Sequence, residues 1–140
     1  MPANTQPIFT KTPDIQWIAP ATVANTTTDL TTGTSYLCFT SDATNGGYVQ
    51  KIRFRPLGTN SNATVARVWI NNGSTTGTAT NNVLWDEISL ASSTVSQTSA
   101  LSNYELPLNF ALPATYRIYV TLGTAPTSAG FAITVVGGKY

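Results

Sequence analysis

The chain has 140 residues and a formal net charge of +1, from seven basic and six acidic side chains, with no histidine and one cysteine. This length predicts a single domain, and the near-zero charge argues against binding to nucleic acid or to a membrane surface. No apolar run approaches the roughly 18–20 residues that span a bilayer. Without histidine the commonest general base and the commonest metal ligand are both missing. We therefore expect that the protein is not an enzyme and that it binds no metal, cofactor or small-molecule substrate.

Threonine, serine and asparagine supply 47 of the 140 residues, whereas charged residues supply 9%. Such a composition is typical of β proteins that work outside cells or inside assemblies. The first seven residues have neither a basic nor an apolar stretch, so we expect no export signal. A virion component, synthesised in the host cytoplasm and released with the particle, reconciles the two observations.

Apolar residues alternate with polar ones along most of the chain, whereas helical periodicity is nearly absent. In residues 104–112 every second residue, beginning with Tyr104, is apolar, which predicts a strand with one buried face. The same reasoning predicts eight strands, at residues 14–19, 34–41, 48–57, 64–71, 83–91, 104–112, 116–122 and 130–136. Residues 22–30 are a candidate ninth strand or an extension of the first.

Eight short strands separated by turn residues predict an all-β fold, an antiparallel two-sheet β-sandwich with a jelly roll as the leading topology. Residues 112–115 are predicted to form a short hairpin connection. Residues 91–103 are too long for a hairpin, so we expect them to cross between the sheets. The sandwich domain is placed at residues 14–140.

Residues 1–13 contain three prolines, which favour extended backbone and block ladder hydrogen bonds. They are predicted to form an N-terminal arm, either a frayed terminus or a segment that orders on a partner. In the second case Ile8 and Phe9 are its apolar anchors.

Two residues and one loop could take part in chemistry. Cys38 lies in an apolar strand and is predicted to be a core residue. Asp86 shares the alternation of the inward side chains of its strand, so either the strand bulges there or Asp86 is buried and pairs with Arg67. The loop of residues 42–47 could bind calcium weakly, but a turn stabilised by the Asp42 side chain explains the same residues.

Lys51, Arg53 and Arg55 form a basic stripe on one face of a strand, either a solvated face or a docking site for an acidic protein surface. Trp69 is predicted to point outward, where it is covered by another subunit, stacks on a sugar or caps the sandwich edge. Pro107 cannot donate to a central ladder, so its strand is expected at an edge or a bulge, where a neighbouring subunit could cover it.

Several stretches together resemble small virion proteins of tailed bacteriophages, of the capsid decoration or cement type. These stretches are residues 48–54 (YVQKIRF), 63–74 (ATVARVWINNGS), 81–88 (NNVLWDEI), 105–113 (ELPLNFALP) and 136–138 (VGG). The resemblance implies a jelly-roll-like sandwich, usually a homotrimer, that clamps neighbouring subunits of the major capsid protein.

The sequence therefore predicts a structural virion protein on the outer surface of a phage head, which it stabilises by bridging capsid subunits. The predicted contact residues are Ile8, Phe9, Lys51, Arg53, Arg55, Trp69 and Pro107. The alternatives are a structural component of the tail or baseplate and a glycan- or receptor-binding module.

Overall fold

A computed structural model describes residues 9–127 and 129–140. The strands in chain order are β1 (Thr12–Ala21), β2 (Tyr36–Thr40), β3 (Gly47–Pro56), β4 (Asn60–Ser61), β5 (Thr64–Asn71), β6 (Asn82–Leu90), β7 (Ser93–Thr94), β8 (Tyr104–Leu112), β9 (Arg117–Leu122) and β10 (Phe131–Lys139). One turn of 3-10 helix, Ala79–Asn81, precedes β6. None of the described residues forms a helix long and apolar enough to cross a membrane.

The strands form two four-stranded antiparallel sheets and one small sheet. Sheet 1 has the order β1-β10-β3-β8, and sheet 2 has the order β2-β9-β5-β6. The two-residue strands β4 and β7 pair with each other. The predicted all-β, antiparallel fold is confirmed. The predicted count of eight strands is not, because the described residues form ten strands in three sheets; β4 and β7 are the two that were not predicted.

The inward side chains of both large sheets meet in one core, which is compatible with a β-sandwich. Its fully buried members include Ile52 and Phe54 of β3, Val120 of β9 and Ile133 of β10. The alternation in residues 104–112 is confirmed, because its five apolar side chains belong to this core or pack against it. Cys38 is also a core residue, as predicted, and burial raises the pKa of its thiol well above the ordinary range.

The predicted hairpin at residues 112–115 is wrong. β8 pairs with β3 in sheet 1, whereas β9 pairs with β2 and β5 in sheet 2. The turn is fastened instead to the neighbouring crossover between β2 and β3: the Ser41 hydroxyl donates to the carbonyl of Pro113 at 2.6 Å, and the amide of Ser41 donates to the carbonyl of Tyr116 at 2.9 Å. Residues 91–103 cross between the sheets as expected, since they join β6 to β8.

Residues 22–35 form a long loop between β1 and β2, with only an isolated bridge at Ala24 in place of the candidate ninth strand. Asn25 is buried and organises the loop: its side-chain amide donates to the carbonyls of Thr32 and Thr34, and its oxygen accepts from the amide and hydroxyl of Thr27. The loop has no periodic pattern in the sequence because side-chain hydrogen bonds, chiefly those of Asn25, hold it in place of a strand ladder.

Candidate functional site

The outer face of sheet 1 carries the predicted basic stripe in two cross-strand rows. Read from β1 to β8, one row is Trp17, Thr134, Arg53 and Glu105, and the other is Ile15, Val136, Lys51 and Pro107. Every side chain in these rows is partly or fully exposed. Each row thus runs from an apolar rim on β1 to the charged side chains of β3.

Glu105 on β8 holds the stripe in place. Its carboxylate accepts from Nε of Arg53 at 2.7 Å and from Nζ of Lys51 at 3.3 Å, with a further contact from Nη2 of Arg53. The hydrogen bonds from Arg53, and then those from Lys51, lower the pKa of Glu105 from its ordinary value. One carboxylate therefore orders two cations that would otherwise move independently in solvent.

Arg55 extends the stripe toward the end of β3. Its Nη1 donates to the side-chain oxygen of Asn103 at 3.1 Å and more distantly to the carbonyls of Leu101 and Ser102. With three cations and one carboxylate, the stripe and Glu105 carry a net charge of +2. All three basic side chains are thus anchored by residues 101–105 of the same chain.

Pro107 lies on β8, the edge strand of sheet 1, which agrees with its missing amide hydrogen. The β3–β8 register also shifts beside it, since Val49 faces Phe110 whereas Lys51 faces Pro107. Asn109, inside this irregularity, has a positive φ of 53°. The proline is exposed and accessible to a partner.

Trp69 requires a correction, because it is 2% exposed and cannot meet a partner subunit or a sugar in this conformation. It pairs across the sheet with Tyr119 and shares its face with Thr121, whose hydroxyl accepts from its indole N–H at 3.0 Å. The face is indeed the outer one, but the chain covers it itself. The amide of Asn25 donates to the carbonyl of Leu122 on β9, and the side chain of Asn82 on β6 donates to the carbonyl of Asp29.

The loop of residues 22–35 is thereby fastened to both strands that flank β5, so it crosses the outer face of sheet 2 over Trp69. Leu30, in this loop, is buried but lies outside the main core, as Trp69 does. Sequence alternation predicts which face of a strand a side chain takes, but it does not show that a loop distant in sequence covers that face.

Trp17, like Trp85 on β6, is an exposed tryptophan that sequence reasoning missed. It is 68% exposed on β1, and Ile15 beside it is 52% exposed. The strand alternates, but Ile18 on the opposite face is apolar as well and packs against the core. Because both faces of β1 carry apolar residues, alternation alone does not separate the outward face from the inward one.

The opposite flank of the molecule is also apolar. Val83, Leu84 and Trp85 are exposed on β6, the edge strand of sheet 2. The ring of Trp85 meets that of Phe110 on β8 edge to face, with centroids 4.8 Å apart. This contact connects the two edge strands and joins them into one flank.

Asp86 is exposed at a bulge, which is the first of the two interpretations open from the sequence. Val68 faces Asp86 whereas the next residue, Trp69, faces Leu84, so β6 has one extra residue there. Arg67 pairs with Glu87 instead, through Nε at 2.7 Å. Asp86 and Glu87 keep the faces that alternation predicts, since they lie opposite Val68 and Arg67. The bulge instead places Leu84, opposite Trp69, on the outer face.

The predicted N-terminal arm is described only in part. Ile8 lies outside the described residues, and Phe9 is 83% exposed beside a surface cavity of about 400 Å³ lined by Thr10, Tyr48 and Tyr140. β1 begins at Thr12, so the last two residues assigned to the arm belong to sheet 1.

The loop of residues 42–47 shows the side-chain-stabilised turn. The Asp42 carboxylate accepts from the amides of Thr44 and Asn45 at 3.0 and 2.9 Å. These backbone hydrogen bonds, first that of Asn45, lower the pKa of Asp42. Among the described residues no group of three or more acidic, cysteine or histidine side chains could hold a metal ion.

Comparison of the chain with protein-family models, with curated proteins and with solved structures finds no match.

Proposed function

We propose that this chain is a structural virion protein that binds the outer surface of a tailed-phage head and stabilises it by bridging subunits of the major capsid protein. The observation that carries the proposal is the open outer face of sheet 1, where the basic stripe and Glu105 together carry a net charge of +2. Cations already ordered before docking lose little conformational freedom on binding, and they favour an acidic partner surface. The other outer face is crossed by the chain's own loop, which leaves sheet 1 as the better docking face.

We assign the fold to the jelly-roll class, which suits this role. Along the chain the large strands alternate between sheets except at β5 and β6, and the resulting orders β1-β10-β3-β8 and β2-β9-β5-β6 support the assignment. In such a topology the first and last strands lie side by side, as β1 and β10 do here. A sandwich with one continuous core supplies the rigidity that a clamp between subunits needs.

The remaining parts of the proposal follow from the resemblance to decoration proteins. The protein acts on the virion surface as a homotrimer, after synthesis in the host cytoplasm, and has no enzymatic activity. A structural role in the tail or baseplate is the nearest competitor. Immunogold labelling of intact particles distinguishes the two, since label on heads supports decoration whereas label confined to tails contradicts it.

Co-sedimentation with purified heads that lack the protein tests the proposed docking face. Lys51→Glu reverses one charge of the stripe, and it should weaken binding by about tenfold or more and reduce its dependence on salt. Arg117→Glu is the matched control, because Arg117 is also partly exposed but lies on β9 in sheet 2.

Both variants should show the unfolding temperature of the original protein within a few degrees. Equal losses of binding in the two variants would contradict docking through sheet 1. Failure of the original, folded protein to bind any heads would contradict the proposed function itself.

Glycan binding is a second candidate because Trp17, unlike Trp69, presents its ring to solvent beside polar side chains. Exposed aromatic rings stack on the apolar faces of sugars. Binding on a glycan array that Trp17→Ala abolishes would favour this function, and the absence of any bound glycan would remove it.

A further inference from the structure

An open cavity of about 530 Å³ lies at one end of sheet 2, between β5, β6 and the residues that follow β9. Its lining includes Val65 and Arg67, which take the outer face of the sheet because Ala66 between them belongs to the core. Small side chains around these two residues leave the depression; they are Ala63, Ser89, Ala91 and Gly123. The volume and the mainly apolar lining are those of a ligand site.

The wall between β5 and the end of β9 is rigid, because four hydrogen bonds join them. The amide of Gly123 donates to the carbonyl of Val65 at 2.8 Å, and the hydroxyl of Thr124 donates to the carbonyl of Ala63 at 2.7 Å. The hydroxyl of Thr64 donates to the carbonyl of Thr124 at 2.9 Å and accepts from its amide at 3.0 Å. The cavity is thus formed before a ligand arrives, which lowers the entropic cost of binding.

Arg67 is the one charged residue among the described residues that line the cavity. Its Nε donates to the carboxylate of Glu87 at 2.7 Å. Its Nη1 is buried and has no acceptor among the described residues, and a buried donor without an acceptor is unfavourable. Because Glu87 is half exposed and accepts from Nε, the guanidinium can turn its other end, Nη1 and Nη2, toward a second carboxylate, which two parallel hydrogen bonds would hold.

The positive charge and the apolar lining of the cavity are close together. A Cβ atom at Gly123 would lie 3.5 Å from Nη1 of Arg67 and 3.8 Å from Cβ of Val65. A ligand therefore needs a carboxylate and an apolar group within the length of one residue. The last residue of a polypeptide has both on a single Cα atom, whereas the neighbours of an internal acidic residue in an extended segment point the other way.

The open side of the cavity favours a polypeptide over a free small molecule. A bound small molecule usually has most of its surface buried, and an open cavity covers only part of it. A polypeptide needs such an opening, since the residues before the last one must leave the cavity.

We propose that this cavity binds the C-terminal residue of a partner polypeptide. The terminal carboxylate accepts from Nη1 and Nη2 of Arg67, and an apolar last side chain packs against Val65 and Gly123. The site does not use the basic stripe, so it is independent of the proposed docking of sheet 1 on phage heads.

Titration with short peptides, followed in nitrogen–proton correlation NMR spectra, tests the site. The probe is N-acetylated alanyl-valyl-leucine with a free carboxylate, which should shift the amide signals of Val65 and Gly123 saturably at millimolar concentrations. The same peptide with a C-terminal amide should bind at least about tenfold more weakly, since it lacks the charge that Arg67 recognises. Equal binding of the two peptides, or no saturable shift with the acid, contradicts the proposal.

Two further probes distinguish the sources of a carboxylate. Hexanoate has a carboxylate and an apolar chain but no peptide, and N-acetylated leucyl-glutamyl-leucine amide has its carboxylate on an internal side chain. Both should bind more weakly than the acid tripeptide. If hexanoate binds as tightly, the cavity is a site for free acids; if the internal glutamate binds as tightly, the cavity does not recognise a C-terminus. Either result overturns the proposal.

Two variants change the site in independent ways. Arg67→Gln removes the guanidinium, whereas Gly123→Leu fills the cavity and keeps the charge. A Cβ at Gly123 meets its neighbours at ordinary van der Waals distances, so the fold tolerates a side chain there. Each variant should weaken binding of the acid tripeptide at least about tenfold.

Arg117→Gln is the matched control, because it removes the same charge at the opposite end of β9 and should bind like the original protein. Circular dichroism establishes that each variant is folded. Unchanged binding by folded Gly123→Leu contradicts the site, and equal losses in Arg67→Gln and Arg117→Gln would show a general attraction of charge instead.

Discussion

Trp17 and Trp69 have the same side chain in opposite environments, and this contrast gives a prediction at the scale of single residues. Trp69→Ala removes a buried ring together with its hydrogen bond to Thr121, so it should lower the free energy of unfolding by about 3–5 kcal/mol. Trp17→Ala removes an exposed ring and should change it by no more than about 0.5 kcal/mol in the monomer. Urea denaturation of both variants measures the difference, and similar losses would contradict the assignment of Trp69 to the interior.

Glu105 gives a second prediction, for the dependence of stability on pH. Its pKa is lowered in the folded protein, first by the hydrogen bonds of Arg53 and then by those of Lys51. Its contribution to stability is therefore present above the pKa of an unfolded glutamate, about 4.3, and is lost as the pH falls through the lower folded value. Glu105→Gln removes this contribution.

Thermal unfolding between pH 6 and pH 2, in roughly unit steps, measures the effect. The variant should be less stable than the original protein at pH 6, and the difference should shrink as the pH falls. Asp29 and Asp42, whose pKa values are also lowered by hydrogen bonds, are unchanged in both proteins and affect both curves alike. A difference that stays constant down to pH 2 would contradict the role of Glu105 as the anchor of the stripe.

At the scale of elements, the loop of residues 22–35 depends on Asn25. Asn25→Ala removes four hydrogen bonds, including those that the side-chain amide donates to the carbonyls of Thr32 and Thr34, which should destabilise the loop by about 2 kcal/mol or more. We expect faster hydrogen exchange in the loop and greater access of acrylamide to the indole of Trp69. Asn62→Ala, at an exposed position, is the control and should leave both unchanged; equal effects would show that the loop is held by other contacts.

Elements also show how far the sequence determines the fold. The alternation in β8 identifies its inward face correctly because every second side chain of a half-buried strand meets the core. Alternation does not tell which sheet a strand joins, so the short connection before β9 was predicted as a hairpin although it crosses between sheets. The basic stripe could be predicted from its spacing in β3, but Glu105 pairs with it only through the register with β8.

At the scale of the whole molecule, the few charged residues are unevenly distributed over the surface. Three of the seven basic residues and one of the six acidic residues gather on the outer face of sheet 1, while the edge strands β1 and β6 expose several large apolar side chains. The molecule therefore has one charged face and apolar side chains exposed at its edges. Neither feature requires a catalytic site, and both suit a protein that is shared between subunits.

The heat stability of phage heads tests the cement function most directly. Heads purified with and without this protein are heated in parallel, and DNA release is followed with an intercalating dye. Heads that contain the protein should release their DNA at a higher temperature, and adding the purified protein back to the deficient heads should restore that temperature. Identical release temperatures with the protein present, absent and restored would contradict the proposal that it stabilises the capsid.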